Sequence, residues 1–360
     1  IKYTAVFVIP LLALGALLRD KRPLRHAPSV LLPLGALLLW EGFNLHTVGA
    51  SHVLHAAGIS RAVQPPWTEM ILVTASFLFL GMGAAPVLLV SRLGRRDGWI
   101  ALGAGLPAGI ALVVLYRAGN SAFAGWGPLP VVTALAAAGG LAWIGLAVRD
   151  GLSRNRGALF LLAWFLGCLI QVIFFGSFVA ARYLLPALLP AILLVSHGGR
   201  RATAIGASMA AVLSLTVASA DLELARAYRR AAAQLHANYR APGAELRFQG
   251  HWGFQYYLER DGHRPLYEGE AKELSVGDVI AIPRFHANVS SRLGVLRRWD
   301  GKRVVPAGRI YLMGKVPATV QHEETGAGFY SSRHKPLPFS WGAEVLEEIE
   351  TLEIVATPGT

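Results

Sequence analysis

Through the first 220 residues the chain runs in long apolar stretches, and polar residues appear in short groups between them rather than one face at a time. A bilayer core of about 30 Å takes about 20 apolar residues at about 1.5 Å of rise each. Eight stretches approach that length: Tyr3 to Leu18, Ser29 to Leu45, Thr68 to Val90, Trp99 to Tyr116, Leu129 to Val148, Ala158 to Phe175, Phe178 to Ser196 and Ala202 to Ala220. Pro10, Pro33, Pro107, Pro186 and Pro190 fall inside them, which a membrane helix packed among neighbours accommodates better than a helix in water. Gly105 and Gly109 have GxxxG spacing, read either as a close helix approach or as chance in a Gly-rich chain.

The pattern changes after Asp221. Leu222 to Tyr239 has apolar residues at helical spacing and stops at Ala241, Pro242 and Gly243. Leu246 to Gln249 reads as a strand, Gly253 to Arg260 as a helix, and Asp278 to Ile282, Arg309 to Met313 and Leu352 to Ala356 as further strands. The expected fold is therefore a polytopic α-helical membrane region of about eight transmembrane helices, residues 1–220, followed by a small soluble α/β domain with a mixed sheet, residues 221–360.

Composition agrees. The chain is 54% hydrophobic and 16% charged, against about 25% charged in an ordinary soluble domain. Its +12 formal charge is unevenly placed: 16 basic and 5 acidic residues to position 220, then 18 and 17. Basic residues that punctuate an apolar region speak for topology rather than for nucleic acid. Alternate connections carry Arg19, Lys21, Arg22, Arg25, Arg92, Arg95, Arg96, Arg149, Arg154, Arg156, Arg200 and Arg201, whereas the other side has Lys2, Arg61, Arg117 and Arg182. By the positive-inside rule the second side is extracytoplasmic, and so is everything after Asp221. Tyr3 to Leu18 lacks the features of a cleaved signal peptide, and the opening on Ile1 points to the later part of a longer protein. The single Cys168 excludes an intramolecular disulfide and a four-cysteine metal site.

Several residues stand out on the outer side. Arg182 and Tyr183 open the seventh stretch. A guanidinium there can hold a phosphate at headgroup level by bidentate bonds, or can snorkel beside an interfacial Tyr. Lys2 is a second phosphate contact or an anchor. Glu41, at the outer end of the second stretch, is a pocket acid or simply solvated. His52 and His55 are three residues apart, but no HExxH or paired carboxylate accompanies them, so no metal is expected. In the outer domain His251 follows the first strand, and Tyr330 and Arg333 lie in a polar, aromatic cluster. Loops at strand ends commonly carry binding residues; Trp252, Tyr256 and Tyr257 read equally as core. Neither GxSxG nor a Walker phosphate loop occurs.

Together, Lys2, Tyr3 and Thr4 before the first stretch, Trp40 and Glu41 before a loop with Gly49 and His52, and the run Ala181, Arg182, Tyr183, Leu184, Leu185, Pro186 continuing to Pro190 resemble the family 39, dolichyl-phosphate-mannose protein mannosyltransferase-like membrane glycosyltransferases of GT-C fold. Gly250 to Tyr257 and Gly328 to Trp341 are similar to the tails of bacterial members. The resemblance implies a polyprenyl-phosphate sugar donor, an extracytoplasmic acceptor (glycan, lipid or protein), no bound cofactor, and a donor phosphate held by Arg182 with help from Lys2. The family's catalytic Asp, in the first outer loop, has no counterpart here, since no outer Asp precedes Asp221. The expectation is that it lies upstream of residue 1 and that this piece alone is nearly inactive. Two rivals stand beside this reading: a flippase or transporter of lipid-linked substrates, which should show mid-membrane charges and an internal repeat, and a non-catalytic membrane scaffold whose outer domain binds a partner.

Overall fold

The structure, a computed structural model, describes residues 8–19, 27–51, 65–81, 85–93, 95–119, 129–153, 155–195, 200–239, 245–267, 273–284, 302–322, 325–330, 335–342 and 345–356. Helices fill the first part: α1 (Val8–Arg19), α2 (Ala27–Val48), α3 (Trp67–Gly81), α4 (Ala85–Leu93), α5 (Arg96–Gly119), α6 (Leu129–Leu152), α7 (Arg156–Phe175), α8 (Ala181–Val195) and α9 (Arg200–Asn238). Each apolar stretch read from the sequence overlaps a helix. Among the described residues, four helices are long and apolar enough to cross a bilayer, Arg96–Arg117, Leu129–Leu152, Arg156–Phe175 and Arg201–Asn238, or five if α3 and α4 count as one span.

The expected number was eight. Of the four missing spans, α2 has the length, 22 residues, but ends in the polar residues Glu41, Asn44 and His46, and the other three lie where stretches are short or broken. The 12 residues of α1 reach about 18 Å and the 15 residues of α8 about 22 Å. The third stretch is split into α3 and α4, whose axes differ by 87°.

The chain divides into two compact units. The first ends at Ser214 and takes in the later segment Gly328–Pro338; the second holds Leu215–Ala327 and Phe339–Thr360. In the first unit α6 packs against α3, α5 and α7. Trp143 of α6 shares a buried cluster with Phe77, Phe165, Leu184 and Leu194. A Cβ on Gly105 would stand 2.5 Å from the Ala138 carbonyl oxygen, and one on Gly109 2.7 Å from that of Ala134. The GxxxG pair is therefore a close backbone approach of α5 to α6. Leu337, from the late segment, is buried beside Leu129 and Ala136.

The helix expected from Leu222 to Tyr239 is not separate: α9 runs unbroken for 39 residues, about 58 Å. Between Ala207 and Asn238 there is no Gly or Pro, so nothing in the backbone stops it. Its part in the second unit buries Leu224, Ala227, Tyr228, Ala231, Ala232 and Leu235, a stripe at helical spacing.

The second unit is built on a five-stranded mixed sheet. Its strands are β1 (Leu246–Phe248), β2 (Arg264–Pro265), β3 (Val279–Pro283), β4 (Lys302–Met313) and β9 (Val345–Ala356), in the order β2-β1-β3-β9-β4. Short strands β5 (Ala318–Thr319), β6 (Gln321–His322), β7 (Ala327–Gly328) and β8 (Ser340–Trp341) intervene, β5 pairing with β8. Helix α10 (Trp252–Arg260) connects the parallel strands β1 and β2. β1 also runs parallel to β3, and β9 runs antiparallel to both β3 and β4. The last two expected strands are the ends of longer ones. β4 shifts register between Pro306 and Gly308, where proline has no N–H to donate to the ladder.

One sheet face meets α9 and α10 through Tyr228, Phe248 and Phe254, with ring centroids 5.7 and 6.0 Å apart. The other buries Leu266, Leu274, Ile280, Ile282, Leu352 and Ile354. Glu347 is fully buried; Tyr228 donates its hydroxyl to Glu347 Oε2 at 2.7 Å, and the Glu348 amide donates to Oε1 at 3.1 Å. Tyr228→Phe is expected to destabilise this unit by about 1.5–3 kcal/mol, the range for a hydrogen bond to a charged group. Denaturant unfolding of the purified chain, followed by fluorescence of the second unit, measures it.

Candidate functional site

The turn before α8 places the residues that the sequence singles out most strongly. Helix α7 ends at Gly176, whose amide donates back to the Val172 carbonyl. Val179 and Ala180 are then fully buried, which fixes where α8 begins. The Ala181 amide donates to the Phe329 carbonyl at 3.0 Å and the Tyr183 amide to that of Ala180 at 2.9 Å. Two orphan donors of the helix start are thereby satisfied by protein.

Arg182 projects from this first turn into the open. Its guanidinium carbon lies 4.9 Å over the Tyr183 ring, and its Nη2 donates to the Tyr183 hydroxyl at 3.4 Å. Tyr183 is held in turn by Phe178, with ring centroids 5.7 Å apart. Among the described residues, no carboxylate forms an ion pair with Arg182. The outcome is a cation stacked on an aromatic face, with most of its five donors available. The positive end of a helix lies beneath it.

Tyr330 comes to the same place. It is half-buried, packed edge-on against Phe329 with centroids 5.4 Å apart, and it follows the residue whose carbonyl receives the Ala181 amide. The sequence reading assigned this cluster to the outer domain, but the late segment Gly328–Pro338 belongs to the helical unit. Arg182, Tyr183 and Tyr330 are thus gathered around one helix start.

The remaining candidates are not gathered there by any contact among the described residues. Glu41 is half-buried near the end of α2 and accepts the Ser51 hydroxyl at 2.7 Å. His251 is exposed in the second unit, at the N-cap of α10, where its side chain makes no capping bond. Lys2, His52 and Arg333, as well as His55, lie outside the described residues. Among the described residues no group of three or more His, Cys, Asp or Glu is arranged to hold a metal ion.

Sequence reading missed a charged cluster within the helical unit. Arg92, at the end of α4, is 4% exposed. It forms ion pairs with Asp150 at the end of α6 and, at 3.3 Å, with Asp97 at the start of α5. Its Nε and Nη2 also donate to the Val195 carbonyl at 3.4 and 3.2 Å. Val195 is the last residue of α8, so the guanidinium caps an orphan carbonyl at the negative end of that helix. Asp97 pairs in addition with Arg149. Two cations and two anions thus join the ends of four helices. Arg92 and Arg149 had been counted only as topological charges. The available signal was the scarcity of acids: Asp20, Glu41, Glu69, Asp97 and Asp150 are the five before position 221, and an acid beside an apolar stretch calls for a partner. By the same reasoning Glu69, half-buried in the first turn of α3, merited attention.

No family model, curated protein or solved structure matches the chain.

Proposed function

We propose that this chain is part of an integral-membrane GT-C-type glycosyltransferase that moves a sugar from a polyprenyl-phosphate donor to an acceptor outside the cytoplasm. The observation that carries the reading is Arg182: an exposed guanidinium with no carboxylate partner among the described residues, stacked on Tyr183 at the first turn of an apolar helix. A phosphate is the anion that suits such a fork, and a polyprenyl tail suits the surrounding apolar helices.

In this reading α1, α2, the α3–α4 pair and α5 to α9 make eight crossings, and the short helices cross by thinning or tilting as mismatch requires. Arg182 holds the donor phosphate and its negative charge as the glycosidic bond breaks, with Lys2 a second contact. Tyr183 orients the guanidinium, Tyr330 lines the acceptor side, and Glu41, His52 and Arg333 are further pocket candidates. The balance of basic residues puts α8's first turn and the second unit on the extracytoplasmic side.

The complete gene product, purified in lipid and given polyprenyl-phosphate sugar, tests this. Loss of one charge-assisted phosphate contact is worth about 1.5–3 kcal/mol, so Arg182→Ala should lower transfer roughly 10- to 150-fold. Arg182→Lys should keep part of it, because the charge remains while the fork is lost. Undiminished transfer by Arg182→Ala removes Arg182 from the mechanism; no transfer by the native protein removes the glycosyltransferase.

A further inference from the structure

Two histidines far apart in sequence meet in the second unit. His236 lies in the last turn of α9, and His263 in the connection from α10 to β2. His236 Nδ1 and His263 Nε2 are 3.0 Å apart, with ring centroids 5.1 Å apart at an interplanar angle of 66°. At this separation one nitrogen must carry a hydrogen and the other present a lone pair. One proton on the N···N line holds the contact. Two protons set a donor against a donor, and two positive rings against each other.

We propose that this pair is a proton latch, which fastens the end of α9 to the β1–α10–β2 connection when at most one of the two rings is charged and releases it when both are.

The neighbouring charges do little to soften the second protonation. Asp261 and Glu245 attract a proton to His263, but each is already engaged by a cation. Arg260 Nη2 and Nε donate to Asp261 Oδ1 at 3.0 and 3.1 Å, and Arg247 Nε lies 3.0 Å from Glu245 Oε1. Burial first, and then the charge of His236, hold His263 below its ordinary value. The sign follows from proton counting. An unfolded His263 binds a proton at about pH 6.5 and a folded one only at lower pH. The unfolded state therefore holds more protons in that window, and stability rises with pH. The latch contributes fully above about pH 6.5 and is lost as pH falls through the folded value.

Two amides report the latch directly. Tyr239 N–H donates to the Leu235 carbonyl and His263 N–H to that of Leu258, both at 3.0 Å. Hydrogen exchange of the full chain in lipid nanodiscs, corrected for intrinsic rates, should show both amides opening roughly tenfold more often at pH 5.0 than at pH 7.5. The Ile280 amide, in the centre of the sheet, should stay protected. His263→Gln keeps one hydrogen-bonding group and removes the titration, so it should abolish the step. Equal protection of Tyr239 and His263 at the two pH values overturns the proposal, and so does a step that survives in His263→Gln. Should that variant fail to fold, NMR titration of the wild-type imidazoles decides: His263 titrating at or above its ordinary value rejects the latch. Zn²⁺ that protects both amides at pH 7.5 in the wild type but not in His263→Gln would make the pair a metal site, and overturns the latch as well.

Discussion

Asp150→Ala is expected to destabilise the helical unit by about 3 kcal/mol, the low end of the cost of breaking a buried ion pair, because Arg92 keeps its contact with Asp97. The size follows from the position of Arg92. At 4% exposure its guanidinium has little water to turn to. Asp97, its other acidic partner, stands 3.3 Å away and is shared with Arg149. The Val195 carbonyl supplies a dipole but no charge. Thermal or detergent unfolding of the purified chain measures the loss. The paired replacement Arg92→Met with Asp150→Leu separates the two parts of the effect. Removing both charges together should recover most of the stability, because the pair's attraction is largely offset by its own desolvation. If Asp150→Ala unfolds like the wild type, the pair is hydrated and does not hold the helix ends.

The helical unit was legible because apolar run length is a direct physical requirement of a bilayer. Every stretch from Tyr3 to Ala220 overlaps a helix of the structure. The course of the third stretch was not legible. Met70 to Leu80 and Ala85 to Val90 are both apolar enough to belong to one span, and hydropathy carries no information about direction, so an 87° bend leaves no trace in it. The continuity of α9 was hidden for the opposite reason. A change from apolar to charged residues at Asp221 looks like a boundary, but backbone continuity depends on helix propensity, and Ala and Leu on both sides of Asp221 and Arg after it are all good helix formers.

The candidate site was legible in its residue types and not in its assembly. Arg182 and Tyr183 were found from their place at the start of an apolar run, and the structure stacks one on the other. Tyr330 was found as part of an aromatic cluster. That its segment belongs with α8, through Phe329 and Ala181, is a contact across about 150 residues that no local pattern encodes. Glu41 and the Arg92 cluster illustrate a second limit. A lone acid reads as functional when its partners are invisible, and Ser51 is one partner of Glu41. The cluster around Arg92 needed charges from three separate helices to be recognised as one object.

Gly140→Val should be nearly as damaging as Asp150→Ala, for a reason that involves no charge. A Cβ at Gly140 would stand 2.0 Å from the Ala75 carbonyl oxygen and 2.8 Å from the Ala75 Cα. Both obstacles are backbone, so no rotamer change relieves them. Helices α3 and α6 must separate, and the cluster of Leu72, Ala75, Ala134 and Ala137 between them opens. Overpacking typically costs about 1–3 kcal/mol and occasionally more; a clash of backbone with backbone belongs at the top of that range, about 3 kcal/mol. Gly145→Ala in the same helix is the control. Among the described residues no neighbour lies within 4 Å of a Cβ there, so the change should be neutral or stabilise the helix by up to about 1 kcal/mol through propensity alone. Unfolding curves of the two variants side by side test the packing of α3 on α6. Equal stabilities would mean that the two helices are not in backbone contact, whereas a loss confined to Gly140→Val is the signature of that contact.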